Sequence, residues 1–169
     1  MSEMNAQVDR PIGMFDSGFG GLTVARAVID LLPSEDLIYI GDTARYPYGP
    51  KPASEVRSYA IELATSLVRD FNAKLIVVAC NTAASVALSE LQSLLSVPVI
   101  GVVEPGARAL VDATKNNRVA VIGTVGTISS GAYESAVAGA LARSFSYCCC
   151  LSRFCRVCRT QRNFGSSRN

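Results

Sequence analysis

The chain has 169 residues, of which 49% are apolar, enough for one domain with a sizeable core or one domain and part of a second. Its formal net charge of +2 is too small to imply nucleic acid or a membrane surface as a partner, and no apolar run approaches the roughly 18 residues of a membrane span. Histidine is absent, which excludes Ser-His-Asp hydrolysis and Cys-His proteolysis, removes the commonest metal ligand, and leaves Cys, Asp, Glu, Lys or Tyr as general base.

The N-terminus, Met1 to Pro11, is polar and lacks the basic and apolar regions of a secretory leader, so the cytoplasm is the expected compartment. Ile12 to Phe15 reads as a buried strand closed by Asp16-Ser17-Gly18. A helix follows from Gly21, with Leu22, Ala25, Ile29 and Leu32 expected on one face and Pro33 as its stop. Leu37 to Ile40 is the second strand, ended by Gly41-Asp42. A Pro- and Gly-rich loop then covers Thr43 to Pro52. Val56, Ala60, Leu63, Leu67 and Phe71 mark the clearest helix. Leu75 to Ala79 is the third strand, and the helix after Cys80 carries Ala84, Leu88, Leu91 and Leu95. Val97 to Val103 is expected as a fourth strand, despite Pro98. A helix through Ala107 to Ala113, a strand at Val119 to Ile122 and a last helix from Ser129 or Ser130 to about Arg143 complete the pattern.

This rhythm predicts an α/β fold, a parallel sheet with helices on both faces. Asp16, Asp42 and Cys80 each follow a strand, so they are expected at one sheet edge, where such folds bind ligands. From Arg143 to Asn169 there is no Asp, Glu or Lys, and neither helical nor strand periodicity. This segment is either a solvated basic tail or, the favoured reading, translation out of frame. It holds five of the six cysteines. Cys155 and Cys158 have zinc-ribbon spacing, but they lack a second pair, and no metal site is expected.

Three stretches at strand ends could carry chemistry. Asp16-Ser17-Gly18-Phe19-Gly20-Gly21 is a turn whose glycines admit a ligand to the backbone, or simply a capped strand-to-helix connection. Without a GK[ST] ending it is a weak phosphate loop. Tyr46-Pro47-Tyr48-Gly49-Pro50 is a stiff loop that holds a ligand or merely connects. Cys80-Asn81-Thr82 puts a thiol at a helix start, where amides favour its ionised form; burial as a structural cysteine is the alternative.

Taken in order, Phe15-Asp16-Ser17-Gly18 with Gly20-Gly21-Leu22, Gly41-Asp42-Thr43 with Tyr46-Pro47-Tyr48-Gly49, Ala79-Cys80-Asn81-Thr82-Ala83 and Gly123-Thr124 resemble glutamate racemase, within the aspartate/glutamate racemase superfamily. The likeness runs from about Ile12 to Leu141. It implies cofactor-free interconversion of L- and D-glutamate for bacterial peptidoglycan, with two cysteines exchanging the α-proton from opposite faces. It implies Cys80 as the first catalytic cysteine, with Asp16 assisting. It also implies Asp16, Ser17, Tyr48, Gly49, Asn81, Thr82 and Thr124 as substrate contacts. The partner implied is the small-molecule substrate glutamate, with no nucleic acid and no membrane; a homodimer is left open.

The chain departs from that pattern in one respect. The family's second cysteine lies in a Cys-Thr-His segment, and no such segment occurs here. The resemblance therefore divides the chain into a first lobe (1–97), an incomplete second α/β lobe (98–142) and the aberrant tail (143–169). Two readings stay open: a racemase, or a catalytically inactive fragment that at most binds an acidic amino acid.

Overall fold

The computed structural model describes residues 9–116, 118–140 and 146–151, the last by backbone alone. Parallel strands β1 (Ile12–Asp16), β2 (Leu37–Gly41), β3 (Leu75–Val78) and β4 (Val99–Gly101) form one sheet in the order β2-β1-β3-β4. Helices α1 (Leu22–Leu31), α2 (Ala53–Arg69), α3 (Asn81–Leu94) and α4 (Val103–Ala113) connect these strands and follow the last of them. Strand β5 (Arg118–Gly123), helices α5 (Val125–Ser129) and α6 (Ala132–Gly139) and strand β6 (Ser146–Leu151) follow, with β6 parallel to β5.

Side chains alternate across a strand, and both faces of the sheet are covered. Phe15, Ile76 and Val78 pack with Val56, Ala60, Leu63 and Leu67 of α2 and with Ala83, Ala87 and Leu91 of α3. Ile12, Met14 and Val77 point the other way and meet Val24, Ala25 and Val28 of α1. A helix on each side is the α/β arrangement expected. Among the described residues no helix is long and apolar enough to cross a membrane.

Several local expectations need correction. The α1 face facing the sheet is Val24, Ala25 and Val28, whereas Leu22, Ile29 and Leu32 are about half exposed. Phe71 lies beyond the end of α2 and is also exposed. The fourth strand is shorter than Val97 to Val103: Pro98 contributes only its carbonyl, to Ile76 N–H at 2.9 Å, and α4 already starts at Val103. Pro105 suits that early start, because a first-turn residue needs no N–H partner. Strand β4, expected to open the second lobe, instead completes the first sheet by pairing with β3. The single last helix is two, α5 and α6, separated at Gly131, whose φ of 69° lies in the left-handed region that favours glycine. Its expected end near Arg143, like Cys155 and Cys158, falls outside the described residues. Ser146–Leu151, expected to have no periodic structure, forms β6.

Candidate active site

Three parallel strands stop at the same edge, so Asp16, Asp42 and Cys80 come together. The Asp42 N–H donates to Asp16 O at 2.9 Å, and Ala79 N–H donates to Phe15 O at 2.9 Å. The turn after β1 is closed locally: Gly18 N–H donates to Asp16 Oδ2 at 3.0 Å, the short-range bond for which Asp is suited. Gly21 is required by close packing, since a Cβ there would stand 2.7 Å from Asp16 Cβ and 2.9 Å from Ala79 Cβ.

Cys80 is the N-cap of α3, its Sγ accepting from Ala83 N–H at 3.5 Å. The thiol donates to Ser17 Oγ, also at 3.5 Å. The Ser17 hydroxyl can also turn and donate to the sulfur. Cys80 is only 5% exposed, so the thiol is largely shielded from water.

Tyr39 was not anticipated from the sequence. Its hydroxyl donates to Gly18 O at 3.2 Å. Burial, followed by the nearby Asp16 and Cys80, pushes its pKa from 10.0 up to about 12, so the phenol keeps its proton. The signal available was its position on β2, two residues before the strand-ending Gly41.

The proline-rich loop is anchored by a buried carboxylate. Tyr48 is fully buried and donates to Asp42 Oδ2, which also receives Arg45 Nε at 2.6 Å. Arg45 continues to Glu62 Oε2 at 2.7 Å, and its guanidinium lies 4.4 Å from the centre of the Tyr59 ring. Burial first, then the Asp42 hydrogen bond, raises the Tyr48 pKa. The Tyr48 side chain thus serves Asp42, whereas Tyr46 of the same loop is exposed.

The later part of the chain closes against the Gly49 loop and the start of α3. A Cβ on Gly49 would stand 2.7 Å from Thr124 Cγ2, so the loop passes directly over that threonine. Thr124 caps α5 by accepting Thr127 N–H at 3.2 Å. Its hydroxyl lies 3.0 Å from those of both Thr82 and Thr127. Thr127 is buried and was not anticipated; the Thr-x-x-Thr spacing of a capped helix start was its only signal. Tyr133 on α6 donates to Asn81 Oδ1 at 2.7 Å.

The expected residues therefore form two linked groups: Asp16, Ser17 and Cys80 in one, and Gly49, Asn81, Thr82 and Thr124 around the adjoining helix starts. Tyr48 is held to the first through Asp42. No group of three or more His, Cys, Asp or Glu side chains that could hold a metal occurs among the described residues. A cleft of about 980 Å³ between α3, α4 and α6 is lined by Ser85, Glu104, Arg108 and Asp112 among others and includes none of these site residues.

The family model for Asp/Glu/Hydantoin racemases matches residues 22–160. The chain belongs to that family. It is similar to glutamate racemase of Corynebacterium kroppenstedtii, with 56% identity over 128 residues that cover 76% of this chain and 44% of that protein. Glutamate racemase of Staphylococcus epidermidis is 53% identical over 128 residues, 76% of this chain and 48% of that one. Among solved structures, glutamate racemase isoform RacE1 from Bacillus anthracis superimposes with a TM-score of 0.78 at 46% identity, covering 86% of this chain and 55% of that chain. Glutamate racemase from Francisella tularensis in complex with D-glutamate has a TM-score of 0.73 at 39% identity, covering 85% and 54%. The chain thus spans about half the length of these racemases, with coverages of 44% and 48% for the two curated relatives.

Proposed function

We propose that this chain carries one half of a cofactor-free glutamate racemase site, in which Cys80 exchanges the α-hydrogen of glutamate from one face. The observation that carries the reading is the Cys80 thiol, nearly buried at a helix start and 3.5 Å from Ser17 Oγ, beside Asp16. The Francisella relative bound to D-glutamate adds the substrate class.

On this reading the Cys80 thiolate takes the Cα hydrogen as a proton. The C–H electron pair delocalises into the α-carboxylate, and the carbanion is reprotonated. An α-proton is a poor acid, so the base must be positioned and shielded from water. Ser17, Asn81, Thr82 and Thr124 supply donors for the two carboxylates and for charge developing on the α-carboxylate, and the loop at Tyr48 and Gly49 closes over the substrate. Asp16 assists proton transfer at the thiol. The reaction belongs to the cytoplasm, where D-glutamate is made for peptidoglycan. Because β4 completes the first sheet, we set the division between lobes after Gly101, later than Val97.

Inversion needs a second acid on the opposite face, and the 169 residues contain no Cys-Thr-His segment. Losing one positioned acid or base costs about 10²–10⁴-fold. The expected activity is slow hydrogen exchange on one enantiomer, with little net inversion. Proton NMR of L- and D-glutamate in deuterium oxide, beside circular dichroism of the same solutions, tests this. Loss of exchange in Cys80→Ser supports the reading. Full racemisation in both directions by the chain alone would overturn the one-sided mechanism. Binding without exchange would favour the inactive fragment.

A further inference from the structure

The carboxamide of Asn81 has two chemically different ends, and its oxygen already accepts a hydrogen bond. Tyr133, 52 residues later, donates its only hydroxyl hydrogen to Asn81 Oδ1 at 2.7 Å. The end left over is the NH2 group, which carries two donors and no acceptor. Asn81 itself is exposed, whereas Tyr133 is half-buried behind it, so the amide meets solvent with a phenol at its back. Burial raises the Tyr133 pKa above 10.0, which keeps the phenol a donor through the neutral range.

The tyrosine is itself held. Its ring packs against the first-lobe core. The Cβ position of Gly106, on α4, lies 3.3 Å from the Tyr133 hydroxyl, so a larger residue at 106 would crowd the phenol. The neighbouring Thr82 is fixed in the same way, 3.0 Å from Thr124 Oγ1. Both head-group candidates on α3 are therefore oriented by side chains from the later part of the chain.

We infer that Tyr133 is a positioning residue that orients the Asn81 carboxamide with its NH2 toward a carboxylate of the bound amino acid. An unrestrained amide can present its oxygen instead, and an oxygen facing a carboxylate repels it. The inference rests on the glutamate reading above.

The test uses the full chain with glutamate as ligand, by calorimetry, in wild type, Tyr133→Phe, Asn81→Ala and the double variant. Side-chain amide resonances of Asn81 are followed in the ligand-free protein. Phenylalanine retains the ring, so folding is preserved. The expected result is affinity about three- to tenfold weaker in Tyr133→Phe, the equivalent of one ordinary hydrogen bond. No further loss is expected when that change is added to Asn81→Ala, and the Asn81 NH2 pair should shift in Tyr133→Phe. Unchanged affinity in Tyr133→Phe, or its full effect persisting without Asn81, would overturn the inference. If wild type binds no glutamate while the NH2 pair still shifts, the glutamate reading alone fails, because the amide's restraint is read without ligand.

Discussion

Every residue of β1 is buried, whereas β5 alternates between exposed and half-buried positions and leaves Ile122 80% exposed. Both strands are apolar, and both are followed by helices. The difference lies in what covers them. Strand β1 lies between β2 and β3, with α1 on one face and α2 on the other. Strand β5 pairs with β6, and none of its residues joins either core cluster. An apolar strand stabilises a fold only to the extent that neighbours remove it from water. The helices of the later region fare better, since Val103 belongs to the main core, and Tyr133 and Ala136 pack against it.

The largest effect should separate the two strands directly. Phe15→Ala empties the centre of the main core and should cost about 3–5 kcal/mol, whereas Ile122→Ala should stay within about 0.5 kcal/mol. Urea unfolding of both variants measures the pair, and equal costs would break the comparison.

Tyr48→Phe is next. It removes the donor that Tyr48 gives to the buried Asp42 carboxylate and leaves Arg45 as that group's remaining side-chain partner. A hydrogen bond to a charged group is worth about 1.5–3 kcal/mol, and the same unfolding assay should show a loss of that order. No loss would mean that the loop is held by its prolines alone.

Thr124→Ala removes the α5 cap and one hydroxyl of the threonine cluster. The expected cost is about 1 kcal/mol. Amide hydrogen exchange should quicken around residues 124–131 while β1 and β3 keep their protection. Equal loosening of β1 would show that the two regions unfold as one.

The last effect concerns pH. Tyr39 has a folded pKa of about 12 against 10.0 for a free tyrosine. The folded state therefore holds this proton more tightly, and the associated stability is fully present below 10.0 and lost as pH rises toward about 12. Chemical denaturation across that window should show a decline that Tyr39→Phe abolishes. A decline unchanged in Tyr39→Phe would assign it to another group.

Strand ends, and the place of Cys80 at one of them, were legible in the sequence. Runs such as Leu75 to Ala79 stop at residues that cannot continue a strand, and the parallel rhythm carries Asp16, Asp42 and Cys80 to one edge. The family also followed from these motifs, because strand-end residues act over short sequence distances. Only tertiary structure decided which face of α1 is buried. A 3.6-residue period marks an apolar stripe but not the surface that receives it, and Val24 and Val28 met the sheet while Leu22 and Ile29 did not. The same holds for the Arg45–Glu62 pair, the Thr82–Thr124 contact and the Tyr133–Asn81 bond. Each joins residues separated by 17 to 52 positions, so each depends on how helices cross after the chain has folded, a relation that local periodicity does not contain.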